Sequence, residues 1–187
     1  MQQIIFYCIS LVFLPYLCAQ FNFMTFNNLG LHANLIKAVT QLGFINPTEI
    51  QEKAIPILLE NNKDLIGLAQ TGTGKTAAFG LPLLQHINPD DATTQGLVIC
   101  PTRELCMQIT KDLESYATHQ LNVNITAVYS GASIEEQIKR IRKGVHIVVA
   151  TPGRLLDLIK RKTVKLGTVH TVILDEADEM LNMGFKE

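Results

Sequence analysis

Ala69-Gln70-Thr71-Gly72-Thr73-Gly74-Lys75-Thr76 sits between an apolar run, Asp64-Leu65-Ile66-Gly67-Leu68, and a helix-like run, Ala77-Ala78-Phe79-Gly80-Leu81. The order is strand, glycine loop, helix, with Gly74-Lys75-Thr76 closing the loop. Glycines let successive backbone N–H groups turn inward on a phosphate, and the helix that follows adds its positive end. In such a loop Gln70, Thr71, Gly72, Thr73 and Gly74 wrap the phosphates. Lys75 reaches the β- and γ-phosphates, and the Thr76 hydroxyl holds Mg²⁺. Where the pattern usually begins with glycine, this chain has Ala69. A bare Gly-Lys-Thr also occurs as an ordinary surface turn. The strand before it and the helix after it favour phosphate binding.

The 187 residues suit one domain with a real core. Hydrophobic residues make up 47% and the net charge is −1, which excludes a disordered or globally basic chain. Any nucleic-acid site must therefore be local, built on helix ends and a few arginines. Cys8, Cys18, Cys100 and Cys106 form no Cys-x-x-Cys pair and read as core thiols of a reducing compartment.

The amino terminus points elsewhere. Residues 1–36 contain no Asp, Glu, Lys or Arg, and Ile4 to Ala19 is almost wholly apolar, interrupted by Pro15. This leader, 1–23, is short for a membrane span but resembles the apolar region of a signal peptide, without a basic residue before it. Three readings stand: a secretory signal, a membrane-surface or buried extra helix, or an upstream extension with the natural start at Met24. The third is favoured, since an ATP-using domain has little use outside the cell. A cytoplasmic location goes with it.

From Met24 the pattern is that of a folded α/β domain, 24–187. Leu31, Leu35, Ile36, Val39 and Leu42 fall at helical spacing. Thr48 and Gln51 have the spacing of a capping box, which starts a helix that Pro56 should stop or kink. Strands are expected at Leu97–Cys100, Asn124–Tyr129, His146–Ala150 and Val169–Leu174, each followed by a turn and a helix start. Ser133 with Glu136 caps one of these helices, and Thr151 with Pro152 at the first helical position opens another. Most strands are continuous apolar runs alternating with helices, which argues for a parallel sheet covered on both faces. Ligands of such sheets bind beyond the carboxyl ends of the strands. Pro101-Thr102-Arg103-Glu104, Ser130-Gly131-Ala132, Thr151-Pro152-Gly153-Arg154 and Asp175-Glu176-Ala177-Asp178 all fall there.

Asp175 follows a buried strand directly. A carboxylate at that tip, facing a phosphate loop, is where an aspartate steers Mg²⁺, and Glu176 next to it can polarise the attacking water. Alone, the acidic run would read as a helix start favourable to the dipole. Beside Gly74-Lys75-Thr76 the metal role for Thr76 and Asp175, and a catalytic role for Lys75, Asp175 and Glu176, is the stronger reading.

Asp175-Glu176-Ala177-Asp178 spells the signature of the DEAD-box RNA helicases, and the chain from Met24 to Glu187 resembles the first RecA-like domain of that family. Ala69 to Thr76 looks like its motif I, Pro101 to Leu105 like motif Ia, and Thr151 to Arg154 like motif Ib. Gly43-Phe44 through Pro47-Thr48 and Gln51 look like the Q motif, with Phe26 as its upstream aromatic. The resemblance implies a three-layer RecA-like P-loop domain with a mostly parallel sheet, and ATP, Mg²⁺ and RNA as ligands. It implies that Phe26 stacks on adenine and that Gln51 reads it, with Phe44 and Thr48 in the same nucleotide site. A carboxamide both donates and accepts, so Gln51 can serve helix cap and base together. It implies RNA-backbone contacts at Pro101, Thr102, Arg103, Gly131, Thr151, Gly153 and Arg154, each group beside a helix start suited to phosphate. Paired glycines are usual in the family where this chain has Gly131-Ala132, and the added methyl puts that contact in doubt.

The family pattern continues with a Ser-Ala-Thr strand and a second RecA-like domain, whereas this sequence ends 12 residues beyond Asp175. The Ser-Ala-Thr strand belongs between the phosphate-loop strand and the Asp175 strand. The expectation is a sheet incomplete at its carboxyl end, poor stability and negligible helicase activity for these 187 residues alone. Two other readings remain: another P-loop ATPase such as a DNA translocase, which Gln51 and the literal Asp-Glu-Ala-Asp disfavour, and a binding or scaffold fragment.

Overall fold

The computed structural model describes residues 24–60, 64–70 and 72–185. The leader and Thr71 lie outside the described residues. After a short 3-10 turn at Phe26–Asn28 come α1 (Ala33–Gln41), α2 (Glu49–Leu59) and α3 (Lys75–Gln85). Strand and helix then alternate: β1 (Gly96–Ile99), α4 (Arg103–Tyr116), β2 (Ile125–Val128), α5 (Ile134–Arg142), β3 (Ile147–Ala150), α6 (Pro152–Lys160), β4 (Thr171–Leu174) and α7 (Ala177–Asn182). The strands form one parallel sheet in the order β2-β3-β1-β4.

Alternation along the strands divides the core into two. Val98, Cys100, Ile147 and Val149 point to the face covered by α1 to α4, where Leu35, Ile55, Leu81, Ile109 and Leu113 are fully buried. Leu97, Val148 and Ala150 point to the other face, against Ile141 of α5 and Leu155 and Leu158 of α6. In register, Leu97 and Val98 of β1 lie beside Val148 and Val149 of β3. Helix layer, sheet and helix layer stack as expected over β1 and β3, whereas β4, expected to be buried, leaves Val172 and Leu174 exposed on one face.

Two local expectations are corrected. Asp64–Leu68 forms no strand: the segment carries no ladder bonds, and Ile66 and Leu68 are 92% and 93% exposed. A strand exists only with a hydrogen-bonded neighbour, and β4, on the near edge of the sheet, is bonded on one side only, to β1. Pro56 does not stop its helix either, since α2 runs through it to Leu59. Only the bond to the Glu52 carbonyl is forfeited that close to the end of the helix. Pro82 sits in the same way three residues before the end of α3.

Candidate nucleotide site and nucleic-acid edge

The phosphate loop takes its shape from two left-handed residues, Gly72 at φ 80° and Gly74 at φ 89°. Thr73 Oγ1 donates to the Gln70 carbonyl at 2.7 Å and closes the turn. Gly74 is the N-cap of α3, so the amides of the first helical turn are left without intrahelical acceptors at the mouth of the loop. Together with the Lys75 ammonium they make a cradle for an anion. Lys75 and Thr76 are both part-exposed there.

Gln51 braces that loop from behind. It is 3% exposed, its Oε1 accepts from the Thr48 N–H at 2.9 Å, and its Nε2 donates to the Gly74 carbonyl at 3.1 Å. The capping box expected at Thr48 and Gln51 is present. The same carboxamide therefore caps α2 and fixes the end of the phosphate loop. Phe26 departs from expectation: at 4% exposure its ring packs 6.1 Å from that of Phe44, inside the core. Phe44 in turn meets Tyr116 of α4 edge-on at 6.2 Å.

Asp175 extends β4 by one bond, its N–H donating to the Ile99 carbonyl at 2.9 Å. The residue is 8% exposed. Burial pushes its pKa above the ordinary range, and the positive charge of Lys75 opposes that shift. The lysine at the start of α3 thus acts electrostatically on the acid at the tip of β4. Glu176 caps α7 in the left-handed region at φ 53°, a backbone strain of about 1–2 kcal/mol for a residue with a Cβ. Among the described residues no cluster of three or more His, Cys, Asp or Glu side chains could hold a metal alone. A hydroxyl and one carboxylate suit Mg²⁺, which takes few protein ligands and completes its shell with phosphate oxygens and water.

The other expected positions line up along the same edge. Thr102 caps α4, its Oγ1 accepting from the Leu105 N–H at 3.2 Å, beside buried Pro101. The Arg103 guanidinium lies over the Tyr129 ring, 4.9 Å from its centre. Gly131 is exposed at φ 89°, and Ala132 follows it. Thr151 caps α6 with Pro152 at its first position, and Gly153 is exposed. Arg154 is already engaged within the protein. Its Nη1 and Nη2 donate to the Ala132 carbonyl at 3.3 Å each, and Nη1 also to Gln137 Oε1 at 3.0 Å. Cys100 and Cys106, both 0% exposed, are core thiols as expected. The hydrogen bond with Cys106, and then burial, hold the Cys100 thiol protonated.

Gln137 and Tyr129 are the partners sequence reasoning missed. The signal was there: Ile134, Gln137, Ile138 and Ile141 share one helical stripe, and a carboxamide on an apolar stripe needs a hydrogen-bonding reason.

An anion cradle at a helix start, together with an acid at the carboxyl tip of a parallel strand, defines a P-loop nucleotide-binding domain. The DEAD/DEAH box helicase family model matches residues 48–187, and the chain belongs to that family. It is 57% identical over 164 residues to the DEAD-box ATP-dependent RNA helicase CshA of Streptococcus pneumoniae, covering 88% of this chain and 31% of that protein. Geobacillus kaustophilus CshA is 50% identical over 163 residues, covering 87% and 34%. A DEAD box protein from the hyperthermophile Methanococcus jannaschii superposes with a TM-score of 0.83 at 44% identity, over 87% of this chain and 44% of that one. S. cerevisiae Dbp5 bound to RNA and ADP BeF3 gives 0.77 at 36% identity, over 84% and 39%. The chain spans about a third of the length of the curated relatives it matches. Among the described residues, no helix is long and apolar enough to cross a membrane.

Proposed function

We propose that this chain is the ATP-binding part of an ATP-dependent RNA helicase acting in the cytoplasm. The observation that carries the reading is the phosphate loop itself, with Gly72 and Gly74 left-handed and the first amides of α3 open beside Lys75. Such a cradle suits the phosphates of a nucleotide, and Asp175 at the tip of β4 is the acid that would hold the metal bound to them. The CshA relatives, named as RNA helicases, and Dbp5, solved with RNA, support the choice of nucleic acid.

In this reading the α3 amides and Lys75 hold the phosphates, and the Thr76 hydroxyl and Asp175 hold Mg²⁺. Bound there, the metal would neutralise charge on the phosphates. Glu176, fixed beside Asp175 by its place at the head of α7, orients the attacking water. Catalysis is then positioning and charge stabilisation rather than covalent chemistry. RNA phosphates meet the starts of α4 and α6, and such contacts carry no base sequence. A second RecA-like domain is the partner that completes both sites.

The test is ATP hydrolysis by the full-length gene product, with and without single-stranded RNA or DNA. Stimulation by RNA alone, and loss of nucleotide binding in Lys75→Ala, are expected. Equal stimulation by DNA would favour a DNA translocase, and unchanged ATP affinity in Lys75→Ala would remove the phosphate-loop assignment.

A further inference from the structure

Gln137 is a carboxamide on an apolar stripe, 5% exposed, with both ends of its amide in use. Nε2 donates to the Tyr129 carbonyl at 3.0 Å and Oε1 accepts from Arg154 Nη1 at 3.0 Å. Arg154 forks onward to the Ala132 carbonyl, and the Tyr129 ring lies under Arg103. One buried side chain on α5 thus joins the start of α6 to the β2–α5 loop, and through Tyr129 to the start of α4. Arg154 also ties the start of α6 to the loop directly at Ala132, and Gln137 locks that contact to Tyr129 at the end of β2.

We propose that Gln137 is a positioning residue for RNA binding, acting through Arg154 and the Tyr129–Ala132 loop. The inference rests on the RNA-helicase reading above. Two helix starts bind one run of phosphates only if their amides face the same line, and α4 and α6 leave different strands. The Gln137 bridge sets their relative placement before RNA arrives. Hydrogen bonds in such a buried network are strong when complete, and the loss of one member leaves the others unpaired. A guanidinium already spending donors on Ala132 and Gln137 orients the loop rather than chiefly gripping phosphate. The Ala132 methyl does not disturb this arrangement, because it is the Ala132 carbonyl that Arg154 holds.

The experiment measures binding of a uridine oligonucleotide by the full-length gene product with a non-hydrolysable ATP analogue, across a salt series. Gln137→Met is expected to weaken RNA binding about tenfold, the effect of one buried hydrogen bond left unpaired. Affinity for the analogue without RNA should not move, and the slope of affinity against salt should stay at the wild-type value. Because Gln137 acts through Arg154, the double variant with Arg154→Met should bind no more weakly than Arg154→Met alone. Additive losses, a slope reduced by about one as for a lost phosphate contact, equal loss of nucleotide binding, or unchanged RNA binding would each overturn the inference. If Gln137→Met does not fold, Gln137→Glu keeps the acceptor for Arg154 and loses the donor to Tyr129. It is expected to bind RNA more weakly than wild type, and wild-type binding overturns the inference. Wild-type protein that binds no RNA overturns the helicase reading as well, whereas wild-type binding with an indifferent Gln137 overturns only the positioning role.

Discussion

Gln51 Nε2 donates to the Gly74 carbonyl at 3.1 Å across 23 residues of sequence, so the cap of one helix is also the brace of the phosphate loop. A Cβ placed on Gly74 would overlap that Nε2. Glycine is therefore needed there twice, for its left-handed backbone and for the amide packed against it.

The two halves of that amide can be separated. Gln51→Glu keeps an acceptor for the Thr48 N–H and turns the donor facing Gly74 into a second acceptor. An acceptor buried against the Gly74 carbonyl should lower stability by about 1–3 kcal/mol or more, and affinity for a fluorescent ADP analogue should fall about tenfold or more. Gln51→Ala should lose both. Equal nucleotide affinity in Gln51→Glu and wild type would show that the brace is irrelevant to the loop.

Gly80 of α3 faces Leu113 and Tyr116 of α4. A Cβ there would come within 2.6 Å of Leu113 Cδ2 and 3.6 Å of the Tyr116 ring. Leu113 is fully buried, so it has nowhere to retreat. Gly80→Ala should destabilise by about 1–3 kcal/mol despite its better helix propensity. In denaturant titrations, the double variant with Leu113→Ala should lose less stability than the sum of the two single losses, as contacting sites are not additive.

Burial raises the Tyr116 pKa to about 12, against an ordinary value of 10. A group whose folded pKa lies above its unfolded one contributes stability below the unfolded value and loses it as pH rises through the folded value. Tyr116 should therefore weaken the fold between about pH 10 and 12. Tyr116→Phe keeps the edge-on contact with Phe44 and removes the ionisation. Melting points of the two proteins, equal near neutrality, should diverge in favour of phenylalanine across that interval.

What the sequence showed and hid follows from the range of the interactions. Motif positions, caps at Thr48, Ser133 and Thr151, and four strands were legible because spacing and apolar periodicity are local. Asp64–Leu68 reads as a strand by the same signs, but pairing is a long-range property that no window of sequence contains. That Phe26, read as the upstream aromatic of the Q motif, packs on Phe44 is likewise decided by residues far along the chain. The bond from Arg154 to Gln137, on another helix, is equally invisible to a reading of the Thr151–Arg154 motif alone.

The β4 edge gives the last prediction. Val172 and Leu174 stand 58% and 57% exposed on the face where they register with Leu97 and Ile99 of β1. The α5 and α6 layer that covers Leu97 does not reach them. Ile66 and Leu68 are bare as well. An unpaired edge beside exposed apolar side chains is a template for another chain. The 187-residue chain should self-associate with rising concentration in light scattering and melt without a sharp transition. Val172→Lys places a charge where little packing is lost, so its stability should change by less than about 0.5 kcal/mol while association falls. A wild-type chain that stays monomeric and melts cooperatively would mean that this edge is closed by contacts other than those of β4 and Asp64–Leu68.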